Sequence, residues 1–435
     1  MIDLNRELDF PRLSNGEVYA DWTGAAIPPR RLIRAWMEFL ENNLLGNPHS
    51  SHKPSARSMG LIAKTRRAII EYFNGGDVYD VIFTANASSA ILLLQHYQFA
   101  LGELLLGADD HNTVNGLREI AKKGGARVTY APIDSTLHFD EETLKRILNT
   151  PKSSSGNRLF AYPAKSNYAG TLHPLRWVAY AKERGWDVLL DAAAFVSNDR
   201  LNLAEIKPDF VPISFYKMFG FPTGVGCLLI RKETYRKLHK EWFSGGSIKM
   251  VAVGKDFYAP EQGYGQFEDG TPNFGMIPAV RNGLAFMNEL GNIRNHVVPI
   301  STALYDQLLA MRVNDNCIAL YSERGSDIVT FSVERSGSTV NAWEFERAAS
   351  ADGIYVRTGC FCNPGVNEKI FGYAVEPYEL LHADGFFCGH VTPEKLREHS
   401  GDKAIGAIRA SFGYVNTMED AQTFAGFTRR FLEGL

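Results

Sequence analysis

Val188-Leu189-Leu190-Asp191, followed by Ala192-Ala193-Ala194, and Phe210-Val211-Pro212-Ile213-Ser214-Phe215-Tyr216-Lys217 are the two stretches on which the fold of this chain turns. Each is a short apolar run without in/out alternation, the pattern of a strand buried on both faces of a sheet. Working outward, the same pattern recurs at Val78–Thr84, Glu103–Gly107, Ala126–Ile133, Leu159–Pro163 and Val225–Arg231. Between these runs lie helical stretches over Ala56–Phe73, Ser88–Leu101, His111–Lys123, Glu141–Leu148 and Leu175–Arg184. Short apolar strands separated by helices predict a mostly parallel α/β sheet covered on both faces.

Beyond about residue 290 the character changes. A helix over Ile293–Met311 precedes strands at Cys317–Tyr321 and Asp327–Val333, a helix over Ala342–Ala351, strands at Ile354–Arg357 and Gly406–Phe412, and a closing helix over Thr417–Glu433. This order predicts a smaller α+β domain with a largely antiparallel sheet. The expected organisation is an N-terminal arm (1–30), a large domain (31–290) and a small C-terminal domain (291–435). The Gly-rich stretch Gly245–Gly275 is expected to be a long functional loop.

Composition narrows the classes. With 46 Lys+Arg against 49 Asp+Glu, the chain has neither the net charge nor the basic run that holds nucleic acid or an anionic membrane. The apolar run Ala90–Leu94 stops at Gln95 and His96, far short of the roughly 18–20 residues a membrane span needs. The first eight residues carry acids where a signal peptide requires a basic and then an apolar segment, and five cysteines make no disulfide framework in a chain of 435. A cytoplasmic protein with reduced thiols is expected.

Parallel α/β sheets place ligands at the carboxyl ends of their strands. Neither a Gly-x-x-x-x-Gly-Lys-Ser/Thr loop nor a Gly-x-Gly-x-x-Gly turn is present. Instead Val81-Ile82-Phe83-Thr84 runs into Ala85-Asn86-Ala87-Ser88-Ser89, small and hydroxylated residues opening a helix. Free N–H groups and a hydroxyl there form a phosphate seat, although a plain N-cap is the simpler reading of that segment alone. A lysine placed just after a buried strand among aromatics is an unusual site for a hydrated ammonium. Burial lowers a lysine pKa, and a neutral amine forms imines. Asp191 and Lys217, 26 positions apart at two strand ends, suit pyridoxal phosphate: the carboxylate keeps the pyridine nitrogen protonated and the lysine holds the aldehyde.

At this point the chain resembles a known family. Tyr19-Ala-Asp-Trp-Thr-Gly-Ala-Ala26, Tyr162-Pro-Ala-Lys-Ser-Asn-Tyr-Ala-Gly170, Asp191-Ala-Ala-Ala-Phe-Val-Ser197, the Lys217 stretch, Val356-Arg-Thr-Gly-Cys-Phe-Cys-Asn363 and Arg409-Ala-Ser-Phe-Gly-Tyr414 look like class V of the fold-type I pyridoxal-phosphate enzymes. Within that class they are most similar to cysteine desulfurases, above all to the desulfurase domain of the molybdenum cofactor sulfurases. The resemblance implies a role for each matching position. Lys217 is the Schiff-base lysine, Asp191 the partner of the ring nitrogen, His111 the stacking residue and Asn167 the partner of the ring hydroxyl. Ala87, Ser88 and Ser214 match phosphate-binding positions, and Gly270-Thr271 resembles a segment that reaches the phosphate of a second subunit, which implies a homodimer. Ala194 and Tyr216 depart from the family, where glutamine and histidine are frequent.

The resemblance also implies sulfur chemistry, from L-cysteine to L-alanine. In Arg357-Thr358-Gly359-Cys360-Phe361-Cys362 the family spacing makes Cys362 the thiol that receives sulfur, on a loop that Gly359 and Gly365 are expected to make mobile. Residues two apart on an extended loop share a side, so Cys360 and Cys362 are both expected to face the cofactor. Arg409 would pair with the substrate carboxylate, and Arg357 would assist or form a loop-stabilising salt bridge. With the chain ending at Leu435, the sulfur acceptor is expected to be a separate protein or cofactor. Two other functions stay open: a carbon–sulfur lyase or aminotransferase acting on another amino acid, and a non-catalytic scaffold of the same fold. Cys360, Cys362, Cys388 and His390 offer four zinc-ligand types, but their spacing is unusual for a structural site, and no metal is expected.

Overall fold

The computed structural model describes residues 4–13, 15–152, 155–372 and 406–435. Seven strands form the larger sheet: β1 (Tyr79–Thr84), β2 (Glu103–Gly107), β3 (Arg127–Ala131), β4 (Arg158–Pro163), β5 (Asp187–Asp191), β6 (Phe210–Ser214) and β7 (Gly226–Arg231). Their order across the sheet is β1-β7-β6-β5-β4-β2-β3. Only β7 runs against the rest, antiparallel to both β1 and β6. The reason is the connection from Ser214 to Gly226, too short for the helical crossover a parallel neighbour needs. Strands β2, β4 and β6 are buried at every residue, as their unbroken apolar character requires.

Helix boundaries depart from the sequence pattern where a specific contact intervenes. The helix expected over Ser88–Leu101 ends at Leu92, and a 3-10 turn (Leu93–His96) leads to an isolated bridge from Tyr97 to Leu238. Tyr97 and Phe99 are thereby buried, and the Tyr97 hydroxyl donates to Asp187 at 2.5 Å. The helix expected over His111–Lys123 breaks at Gly116 into Asn112–Asn115 and Leu117–Lys123. Gly245–Gly275 is not all loop: it contains an antiparallel hairpin, Ile248–Ala252 with Phe257–Pro260.

The second sheet has six antiparallel strands among the described residues, built around Ile328–Arg335 and Ala407–Ser411. Helices Arg294–Leu309 and Met418–Glu433 pack together beside it. The strand expected over Ile354–Arg357 is divided. Ile354–Tyr355 pairs in parallel with Val18–Tyr19, whereas Arg357–Gly359 pairs with Ala407–Ser411. The N-terminal segment is thus tied to the C-terminal part of the chain. Among the described residues no helix is long and apolar enough to cross a membrane.

A buried ion pair joins the two sheets. Lys165, just past β4, donates to Asp327 at 2.7 Å, and Asp199 lies 3.3 Å away. Asn198 donates to the same Asp327 oxygen and to the Phe412 carbonyl. Burial would raise the Asp327 carboxyl, but Lys165 and Asn198 hold it below its ordinary value. Its stabilising contribution is therefore complete above the unfolded carboxylate pKa and is lost as pH falls through the lower folded value. Replacing one partner of such a pair strands the other. Lys165→Met is expected to lose about 3–5 kcal/mol in urea unfolding at neutral pH, with the deficit narrowing in acid; an unchanged midpoint would contradict this account.

Candidate active site

Five loops converge where the parallel strands end. After β1 come Asn86, Ala87 and Ser88; after β2, His111 and Thr113; after β4, Lys165 and Asn167; at the end of β5, Asp191, with Ala193 and Ala194 beyond it; after β6, Tyr216 and Lys217. Together with Ser214 they line a cleft of about 170 Å³. This brings together Lys217, Asp191, His111, Asn167, Ala87, Ser88 and Ser214. Ala194 and Tyr216, the two departures from the family pattern, line it as well.

Local chemistry fixes these groups. The Asn86 side chain caps the helix that starts at Ala87, accepting from the Ser89 amide at 2.9 Å. The Ser214 hydroxyl accepts from the Ala87 amide at 2.8 Å, and the Ser88 and Thr113 hydroxyls pair at 3.0 Å. Gly226 permits this packing: a Cβ there would lie 2.5 Å from the Ile213 carbonyl oxygen and 2.6 Å from the Asn86 Cα. Asp191 Oδ1 accepts from the Ala193 amide at 3.0 Å. His111 lines the cleft and also caps its helix, its Nδ1 accepting from the Thr113 amide at 3.1 Å.

Burial, opposed by the Asp191 carboxylate, pushes the Lys217 amine below its ordinary value, and the cations Arg409 and Arg357 push it further. Burial likewise lowers His111, again opposed by Asp191 and reinforced by Lys217 and Arg357. The arrangement is thus an amine made less basic and an imidazole made harder to protonate, beside one carboxylate.

The thiol loop is hydrogen-bonded to Asn167, which lines this cleft, and to Asn112. Cys362 is exposed, and its electrostatic influence reaches Lys217. The loop is not extended, which corrects that expectation. Gly359, Phe361 and Cys362 have φ of 104°, 52° and 56°, so period-two alternation does not put Cys360 and Cys362 on one side. Gly365 lies in the first turn of a helix (Pro364–Phe371), where a Cβ would fall 2.0 Å from the Ala108 carbonyl oxygen. Hydrogen bonds hold the loop to the strand ends: the Asn112 amide donates to the Cys362 carbonyl at 2.7 Å, and Asn167 Nδ2 donates to the Phe361 carbonyl at 2.7 Å. Asn363, fully buried, donates to Asp109 Oδ1 at 2.6 Å and to Asn167 Oδ1 at 3.1 Å. Asp109 is bound in turn by Ser166 and His173, each at 2.8 Å.

Arg409 is buried next to this loop, its guanidinium over the Phe361 ring. Its Nη1 donates to the Asn167 carbonyl at 2.8 Å and its Nη2 to Asp21 Oδ1 at 2.9 Å. Arg357 is half exposed, 3.9 Å from Asp21 Oδ2. Gly270 and Thr271 are not among the residues lining the cleft of their own chain. The Gly270 amide donates to the Gly245 carbonyl, and Thr271 accepts from Asn47 at 3.2 Å. Cys388 and His390 lie outside the described residues. Sequence reading passed over Asp109 and Asp21, whose meaning depends on partners some 250 and 390 positions away. Asn363, by contrast, was visible as the residue after Cys362.

A seven-stranded mixed sheet with a lysine and a carboxylate at its strand ends is the fold of the type I pyridoxal-phosphate-dependent enzymes. Consistent with this, the class V aminotransferase family model matches residues 18–424, and the chain belongs to that family. It is 32% identical to the molybdenum cofactor sulfurase of Bos taurus over 97% of this chain and 51% of the relative. The chain thus spans about half the length of that relative. Among solved structures, the apo cysteine desulfurase of Thermococcus onnurineus NA1 superposes with a TM-score of 0.80 at 20% identity, covering 100% of both chains. A C-DES variant with glycine covalently linked to its PLP cofactor gives 0.72 at 19% identity, covering 97% of this chain and 98% of that one.

Asp191 is the group that keeps Lys217 from losing its proton more readily still. Asp191→Asn is therefore expected to move the Lys217 titration to lower pH. The pH dependence of amine-selective labelling, with Lys217 followed by peptide mass mapping, checks this. A midpoint that stays or rises would show that Asp191 does not act on the amine.

Proposed function

We propose that the protein is a pyridoxal-phosphate-dependent cysteine desulfurase that takes sulfur from L-cysteine onto Cys362, leaves L-alanine, and passes the sulfur to an acceptor. The observation that carries this reading is the exposed Cys362 thiol held beside a cleft that contains a depressed-pKa lysine and a carboxylate. The donor set fits the cofactor. Lys217 would tie it covalently, Asp191 would face its ring nitrogen, His111 would cover its ring, and Asn167 would take its ring hydroxyl. Ser88, Ser214 and the Ala87 segment would hold its phosphate. When bound, pyridoxal phosphate supplies an electron sink for charge developing at the substrate Cα.

The chain's own residues do the rest. Lys217, with its amine poised to lose a proton, takes the Cα proton and returns it. Arg409 aligns the substrate through its carboxylate, and Asn167, bonded to Arg409 through its carbonyl, holds that alignment. Cys362 attacks the substrate sulfur as a thiolate. A sulfur–sulfur bond forms on the enzyme, the substrate carbon–sulfur bond breaks, and the product carbon takes up a proton to become alanine.

The expected acceptor is a separate protein or cofactor, with sulfuration of a molybdenum cofactor the candidate raised by the relatives' name. The second subunit of a homodimer would supply Gly270 and Thr271, which lie outside their own chain's cleft. The hairpin beside them exposes Met250, Val251, Val253 and Phe257, apolar surface that a second copy would cover.

Lys217→Ala is expected to lose at least about a hundredfold in alanine formation from L-cysteine while keeping its fold by circular dichroism. Cys362→Ala should bind L-cysteine and release no sulfur, whereas Cys360→Ala retains most activity. Substantial alanine from the Lys217 variant would sink the assignment, and a dead Cys360 variant beside an active Cys362 variant would exchange their roles.

A further inference from the structure

One charged residue beside Arg409 has no part in the chemistry above. Asp21 follows the short N-terminal strand, and its carbonyl accepts from the Gly24 and Ala25 amides at 3.0 and 3.2 Å. Its carboxylate stands between two guanidinium groups, 2.9 Å from Arg409 Nη2 and 3.9 Å from Arg357 Nη1. The two cations differ in setting. Arg409 is 2% exposed with an unpartnered Nε, whereas the side chain of Arg357 is 51% exposed at the rim. Gly24 makes room for the cluster: a Cβ there would lie 2.5 and 2.7 Å from the Asp21 oxygens and 2.8 Å from Arg357 Nη1. One carboxylate thus has a buried and an exposed partner within reach, and the three groups together carry one uncompensated positive charge.

We propose that Asp21 is a placeholder carboxylate, which keeps Arg409 paired and aimed in the empty site and shifts to Arg357 when the carboxylate of an incoming α-amino acid takes its place. A buried guanidinium without a counter-ion is costly, so the empty site needs such a partner. Binding then exchanges one carboxylate for another at Arg409, and selects ligands that present a carboxylate where Asp21 stood. A ligand bringing a second anion meets the displaced Asp21 and is disfavoured. Asp21 is a positioning and specificity residue here, acting through Arg409. The inference rests on the reading of Arg409 as the residue that binds the substrate carboxylate.

The test is calorimetric titration of the cofactor-loaded enzyme with L-alanine, and with L-alaninamide as the probe lacking a carboxylate. Asp21→Asn removes the competitor and is expected to bind L-alanine about tenfold tighter, yet L-alaninamide no tighter than the unaltered enzyme does. Arg357→Gln, an exposed change that leaves the fold intact, removes the refuge of Asp21 and should weaken L-alanine binding about fivefold. In the double variant that weakening should vanish, because Arg357 matters only through the Asp21 charge. A purely structural Asp21 would give no gain in affinity. Equal or weaker L-alanine binding by Asp21→Asn overturns the proposal, as does an Arg357 effect that persists in the double variant. Should Asp21→Asn fail to fold, Arg357→Gln decides alone: unchanged L-alanine binding, or an equal loss for L-alaninamide, overturns it. Turnover of L-cysteine by the unaltered enzyme is measured alongside. Its absence removes the desulfurase reading, whereas the binding ratios bear on Asp21.

Discussion

The arrangement depends first on the Asp109 carboxylate, which has no exposed surface and accepts hydrogen bonds from Ser166, His173 and Asn363. The donors come from two distant parts of the chain, the segment after β4 and the thiol loop. Ser166 follows β4, His173 is stacked on Phe139 with ring centroids 4.1 Å apart, and Asn363 follows the exposed thiol. A buried carboxylate is tolerated only when its lone pairs are used, so all three groups are required at once. The loop that carries Cys362 is thereby fixed to the strand ends that carry Asn167 and His111. Two consecutive non-glycine residues in the left-handed region, Phe361 and Cys362, are kept there by those bonds and by the Asn112 amide.

Topology explains why the groups meet at all. Six strands of the large sheet point the same way, so their carboxyl ends form one edge. Residues far apart in sequence, from Asn86 to Lys217, share that edge without any long-range motif. The low dielectric of the cleft then sets the chemistry. The same burial that lowers Lys217 and His111 also makes the Arg409 charge costly, and Asp191 and Asp21 supply the negative charge that balances these groups. Lys165 performs a related service away from the reacting groups, carrying a positive charge from the cleft wall to Asp327, just before the central strand of the smaller sheet.

How much of this was legible follows from the range of each interaction. Strands β4 to β6 and the Asp191–Lys217 pair were legible because burial on both faces leaves an unbroken apolar run that ends in a polar residue. The reversed direction of β7 was implicit in its short connection. What stayed hidden was set by tertiary contact. Tyr97 turns a predicted helix into a bridge because its ring and hydroxyl have a buried destination. The Gly359–Cys362 loop looked extended from its sequence, yet Phe361 and Cys362 turn into the left-handed region, where Asn363 and Asn167 bond through atoms no local pattern reveals. Asp21 sat inside a quoted motif without a role, since its partners Arg357 and Arg409 come from the other end of the chain.

In the proposed reaction, sulfur leaves a small amino acid at the Lys217 cleft and arrives on Cys362. Mass spectrometry of the cofactor-loaded protein after incubation with L-cysteine, with peptide mapping and quantitation of free alanine, tests it directly. The account predicts a one-sulfur mass increment on the peptide containing Cys362, in proportion to the alanine formed. Alanine without that increment, or an increment confined to a cysteine other than Cys362, would contradict it.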